Sequence, residues 1–538
     1  MGQCTVSQRA GTQQIPRAES TTTAIGASRW RHILLDVLLI AVASFLLETT
    51  HFSFQQGRSV ICGDSAQYVN SAEALIEGNK APHFEMRKPG YTLLLAGIGL
   101  AFGNMGWAAV VCNHFLLALL PLAGYGTGRH LHGRAVGIAA ALIVMVQLQG
   151  VVYGNRVLSE SLFVCLLSFG LLVLAVGSVR PRPAVWNAAA GTLLGLAWLT
   201  RGTGTAVIAA AAVFLVIVCW RHRRKTLISV GAFALPIVVL VCFECELNRL
   251  TTGQFRPANG TAGATLALRL RHLDGADVPQ TEAAQQVVAL LPERSEDDVF
   301  LANHVDVWVA RYRAIHDQGM DEWEYDGLMG RFGRDMVATR PLSYIWNSVK
   351  MAGRHLLRVA DGEALSSVAD ERRAGILIHP AAPDAEEGDV YWYAYWGLPH
   401  LSLEDSVALV DRMKIAAAQE APFGDSRFWA ALRYYISMPA MASMLSGLRH
   451  VGSLWPGFAL LGCAWLGLNR RTCLLFGLAY LADAALIGLL TPTTHRMQFI
   501  WIVTDAALTA GVLVVVPVLI YRRVRSSTVG HTPVLTTT

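Results

Sequence analysis

The sequence predicts an all-α polytopic membrane protein of about ten transmembrane helices, within a range of about nine to twelve, with interfacial helices and an extracytoplasmic domain. Three observations carry that expectation. Of the 538 residues, 53% are apolar and only 15% are charged, whereas soluble domains hold about 25% charged residues. Apolar runs near the ~20 residues needed to cross a hydrocarbon core recur along the chain. Basic clusters fall at the ends of those runs, where they set orientation. The net charge of +5 gives no electrostatic footprint for nucleic acid, which is not expected as a partner.

Taken in order, residues 1–32 are polar, rich in Ser, Thr and Gln, and expected to form a disordered cytoplasmic tail. They hold no apolar h-region, so no cleavable signal is expected before the first span. The runs expected to cross are 33–50, 107–126, 135–153, 160–178, 186–200, 203–220, 226–247, 453–468, 472–490 and 497–520. The segment 89–103, PGYTLLLAGIGLAFG, is short for a span and reads as interfacial or re-entrant. Placing the N-terminus inside and keeping 89–103 from crossing puts the basic stretches at 129–134, 180–182, 221–225, 470–471 and 522–525 all on the cytoplasmic side. That arrangement divides the chain into transmembrane helices over 33–247 with an outer loop at 51–106, an extracytoplasmic domain over 248–450, further transmembrane helices over 451–521, and a cytoplasmic tail over 522–538.

Within the outer domain, 341–358 carries aromatic and basic residues suited to the membrane interface. The stretch 429–447 is apolar enough to cross, but a crossing would invert the spans after it, so it is expected to lie at the interface or on the domain. The aromatic run YWYAYW at 391–396 suits packing or the headgroup level more than sugar stacking. Most of the nine cysteines fall in apolar spans, and neither a disulfide framework nor a zinc spacing is present in the sequence.

Several polar residues stand where membrane segments rarely place them. Asp64 precedes a helical pattern that stops at Gly78-Asn79, and with Gln67 it also reads as a capping box. Arg87 and Lys88 open an apolar helix on the side that the positive-inside rule keeps poor in bases; they suit a phosphate, although such bases also snorkel to headgroups. Ser159-Glu160 opens a span, where either residue could serve only as a cap. Arg201 lies in the break between two apolar runs and needs a partner there. His495-Arg496 begins the last span.

The ordered motifs GDSAQYVNSAEALIEGN, RKPGYTLLLAGIGLAFG, NRVLSESLFVCLLSFGLLVL, GTLLGLAWLTRGTG and HRMQFIWIV resemble those of GT-C membrane glycosyltransferases, in the branch of protein O-mannosyltransferases and aminoarabinose transferases. The resemblance covers residues 33–247 well and the last span weakly. It implies that 33–247 is a GT-C-like catalytic module in the plasma (inner) membrane, using a polyprenyl-phosphate-linked sugar with inversion at the extracytoplasmic face, beside membrane lipid. By that resemblance Asp64 would act as general base or orient the acceptor, Glu160 occupies the second-loop acidic position as the other catalytic candidate, and Arg87, Lys88, Arg201 and Arg496 would bind the lipid phosphate. Tyr68, Tyr91 and His83 are the candidate substrate-binding residues. The family's second acid beside the first is absent, since Gly63 and Ser65 flank Asp64; Asp64 and Glu160 are the acids open to a divalent metal, and no other cofactor is expected. The acceptor is left open. A flippase of lipid-linked sugars is the rival reading; it predicts charges near the midplane and inverted repeats, whereas the candidates cluster at one face and the sequence shows no repeat.

Overall fold

The computed structural model describes residues 19–54, 65–79, 87–103, 105–145, 156–178, 182–258, 280–290, 317–357, 468–490 and 501–529, with isolated residues between these stretches. Among the described residues the regular elements are fourteen helices. They are α1 (Glu19–Phe54), α2 (Ser65–Ile76), α3 (Pro89–Phe102), α4 (Met105–His132), α5 (Arg134–Met145), α6 (Glu160–Gly177), α7 (Pro183–Thr200), α8 (Gly204–Cys219), α9 (Arg223–Thr252), α10 (Glu282–Leu290), α11 (Glu322–Thr339), α12 (Pro341–Leu357), α13 (Arg470–Leu490) and α14 (Ile502–Val529). The all-α polytopic expectation holds. Five helices among the described residues, α1, α4, α6, α9 and α14, are long and apolar enough to cross a membrane, and α3, α5 and α8 are shorter apolar helices. α3 has 14 residues, a length of about 21 Å, short of the roughly 30 Å hydrocarbon core. α1 begins at Glu19, inside the stretch expected to be disordered. The runs at 391–396 and 429–447 lie outside the described residues.

α4 sits centrally, with α1, α3, α5, α6 and α14 packed around it. α7 lies between α6 and α9, and α8 joins this layer to α13. On the outside of the bundle, α1 turns Leu34, Leu38, Phe45 and Leu46 away from the protein, and α9 does the same with Leu227, Leu235 and Val239. Such faces would be unfavourable in water and suit a lipid environment.

Because lipid tails are as apolar as leucine, helices in a bilayer associate through close backbone approach and polar contacts. Both devices are present. A Cβ on Gly191 of α7 would stand 2.1 Å from the Phe233 carbonyl oxygen of α9, so the two helices meet backbone to backbone there. Asp36 of α1, buried, accepts two hydrogen bonds from Arg134 of α5 at 2.7 and 2.8 Å and one from the Tyr125 hydroxyl of α4 at 2.8 Å. Nearer the other end of α1, the Glu48 carboxylate lies 2.7 Å from Nδ1 of His114 on α4.

Helices α10 and α11 form a second, smaller core around Val287, Tyr325, Met329 and Phe332. α11 starts at a capping box in which the Asp321 side chain accepts from the Glu324 N–H and the Glu324 side chain accepts from the Asp321 N–H. α12 comes directly after it, packs on α13, and leaves Leu342, Ile345, Trp346 and Val349 exposed along one stripe.

The Gly191 contact yields a test. Gly191→Ala should lower the melting temperature in detergent, because the new methyl overpacks a rigid backbone contact at a cost of about 1–3 kcal/mol. An unchanged melting temperature in a thermal-shift assay would show that α7 and α9 do not meet at this point.

Candidate functional site

The site is built at the N-terminus of α3. Lys88 is the N-cap in an extended conformation, with Pro89 at the first helical position, where its missing N–H costs nothing. A Cβ on Gly90 would stand 2.8 Å from the Leu199 carbonyl oxygen, so glycine lets the first turn of α3 rest against the end of α7. That contact carries Lys88 to the point where α7 breaks.

There the Lys88 ammonium lies 3.7 Å from the centroid of the Trp198 ring and donates to both oxygens of Glu244, at 2.9 and 3.0 Å. Glu244, on α9, is fully buried, and Lys88 is 9% exposed. Oε1 of Glu244 also accepts from the Ala258 N–H at 2.9 Å. One helical turn on, Asn248 donates to the Arg256 carbonyl at 2.8 Å. The end of α9 therefore holds both the lysine and the chain that leaves the helix. Burial pushes the Lys88 amine below the usual lysine range, and the adjacent Glu244 carboxylate opposes that shift.

A second ion pair stands across α7. Arg201 leaves the helix in an extended conformation, and its Nη1 lies 2.7 Å from Oε1 of Glu160, the first residue of α6. Glu160 is 2% exposed. Ser159 makes no side-chain cap at the start of α6; its hydroxyl accepts from the Tyr68 hydroxyl at 3.2 Å. Ser159 therefore does not cap α6 through its side chain, its own backbone being already helical there. Tyr68 meets Tyr91 edge-on at 5.2 Å. Arg87 donates through Nε to the Gln67 side-chain oxygen at 2.6 Å and lies 5.9 Å from the Tyr68 ring centroid.

The structure thus gathers Tyr68, Arg87, Lys88, Tyr91, Glu160 and Arg201 around the starts of α3 and α6 and the end of α7. Asp64, His83 and Arg496 lie outside the described residues, as does the start of the Asp64 capping box. Among the described residues no group of three or more His, Cys, Asp or Glu is arranged to hold a metal ion.

Residues 86–244 match the family model described as dolichyl-phosphate-mannose-protein mannosyltransferase. That segment is less than a third of the chain, and over it the chain is similar to that family. The GT-C resemblance read from the motifs holds over it. No curated protein sequence matches the chain. Among solved structures, the chain is similar to ArnT from Cupriavidus metallidurans bound to undecaprenyl phosphate, at 14% identity and a TM-score of 0.35, over 88% of this chain and 77% of that one. It is also similar to the archaeal oligosaccharyltransferase AglB from Archaeoglobus fulgidus, at 11% identity and a TM-score of 0.36, over 91% of this chain and 52% of that one. A third similarity is to the arabinosyltransferase EmbB from Mycobacterium smegmatis, at 14% identity and a TM-score of 0.28, over 80% of this chain and 44% of that one.

The sequence reading passed over Glu244 and Trp198, and took Gln67 only as the capping-box partner of Asp64. Glu244 carried a signal, because an ionisable residue inside an apolar run is a functional candidate by default. Trp198 carried none, since a helix aromatic gains meaning only from the groups that lie opposite.

Removing one partner of a buried ion pair leaves an uncompensated charge. Arg201→Met should therefore destabilise the protein by roughly 3–5 kcal/mol, towards the lower figure because the Arg201 side chain keeps 16% exposure. The double variant Glu160→Gln/Arg201→Met should recover part of that loss. Equal melting temperatures for the single and double variants would mean that the pair does not form.

Proposed function

We propose that this chain is an integral membrane glycosyltransferase that moves a sugar, hexosyl or pentosyl, from a polyprenyl-phosphate donor to an extracytoplasmic acceptor with inversion. The observation that carries the reading is the pair Arg87–Lys88 at the N-terminus of an apolar helix, with Lys88 buried at the α7 break. A buried ammonium at a helix start suits an anion, through its own charge and the free amides of the first turn. The family match over residues 86–244 supports a lipid-phosphate sugar donor, since the family is described by its use of dolichyl-phosphate-mannose.

In this proposal the acceptor hydroxyl gives its proton to Asp64 and its oxygen attacks the anomeric carbon. The bond from that carbon to the phosphate oxygen breaks on the opposite side, which inverts the centre. The departing lipid phosphate gains charge as the bond breaks, and Lys88, Arg87 and Arg201 stabilise it where it develops. Arg496 would complete this set from the last span, and Tyr68, Tyr91 and His83 would line the sugar. Glu160 fixes Arg201 in this scheme. A lipid-anchored leaving group requires a site at the bilayer surface, which accounts for charged residues beside apolar helices. The positive-inside distribution of bases supports a cytoplasmic N-terminus in the plasma (inner) membrane. The region 248–450 would lie outside and meet the acceptor, whether lipid, glycan or protein.

The test is donor turnover by purified protein in nanodiscs with a panel of labelled polyprenyl-phosphate sugars. Wild type should consume one donor, and Asp64→Asn should lower kcat by about 10²–10⁴-fold, the usual worth of general base catalysis. Donor binding without turnover, unchanged in a folded Asp64→Asn variant, would favour a flippase and return Asp64 to helix capping.

A further inference from the structure

We infer that Glu244 is the resting counterion of Lys88, competing with the donor's lipid phosphate for the same ammonium and so setting donor affinity. The inference rests on the reading above, in which Lys88 meets that phosphate. Nothing in the sequence motifs assigns Glu244 a role, since it lies 156 residues from Lys88.

The geometry favours exchange over a purely structural bond. An ammonium has three N–H groups, and both protein hydrogen bonds of Lys88 go to one carboxylate, at 2.9 and 3.0 Å. The remaining contact is the face of Trp198, which attracts the cation without consuming a directed hydrogen bond. Lys88 is thus held in orientation while keeping an N–H for an incoming oxygen.

Glu244 is also held from the other side. The Ala258 N–H bonds its Oε1, and Asn248 fixes the neighbouring Arg256 carbonyl, so the carboxylate keeps a partner when the ammonium turns away. A phosphate must still draw Lys88 from a fully buried carboxylate. Binding is then discounted by the fraction of protein in which the ammonium is free to leave, and removing the competitor lifts that discount. A pair that served only to hold the fold would give the opposite sign, because loosening it would disorder the site.

The experiment measures binding of sugar-free undecaprenyl phosphate to the full chain in nanodiscs, at fixed pH and salt, by isothermal titration. Glu244→Gln should tighten binding by about tenfold, equivalent to roughly 1.4 kcal/mol. That gain should vanish when Lys88→Ala is added. Glu244→Asp keeps the charge but draws the carboxylate back by one methylene, and should tighten binding to a smaller extent if Glu244→Gln does not fold. Unchanged or weaker binding in the folded Glu244 variants, with Lys88→Ala still impairing the wild type, would overturn the inference and leave the lipid-phosphate role of Lys88 standing. Lack of folding in both Glu244 variants would assign the residue to the fold and overturn it too. Lys88→Ala binding as well as the wild type would instead remove Lys88 from the phosphate site, and the parent reading with it.

Discussion

A lysine ammonium taken out of water at the start of an apolar helix needs an opposite charge, and in this chain Glu244 of α9 supplies it. Most of the surrounding geometry comes from satisfying that requirement. α3 must lie close enough to α7 for Lys88 to pass the Trp198 ring, which Gly90 allows. α9 must cross α7 closely enough for Glu244 to arrive from the other side, and Gly191 permits that backbone contact. Deleting one partner of a buried pair is costly, so this contact adds to the glycine contacts that hold the three helices together.

The same logic recurs across the bundle. Asp36 ties α1 to α4 and α5, Glu48 ties α1 to α4 again, and Glu160 ties α6 to the end of α7. The ring nitrogen of Trp501, the residue before α14, donates to Asp483 of α13. In lipid the apolar faces of these helices gain little from meeting one another, so small residues and satisfied polar groups decide which faces pair. Under the proposed function, the candidate site is a place where that scaffold role and a chemical role coincide. Lys88 and Arg201 are held by carboxylates from neighbouring helices, which keeps those two charges oriented.

The sequence by itself determined the class of this protein, because hydropathy and helix length are local properties summed along the chain. The breaks at Arg201 and the short α3 were legible for the same reason, as were Lys88, Arg87, Glu160 and Arg201 as residues that demand an explanation. The partners that answer the demand were not legible. The alternation of apolar runs does not say that Arg201 meets Glu160, that Tyr68 takes the Ser159 hydroxyl, or that Lys88 meets a glutamate 156 residues away. Those pairings depend on which helix faces approach, and that is set by backbone contacts at single glycines and by the crossing of α7, α9 and α3. Sequence thus specified which charges needed partners, since burial cost belongs to each residue alone. Only the tertiary structure chose the partners, since a partner is a property of two surfaces and the distance between them.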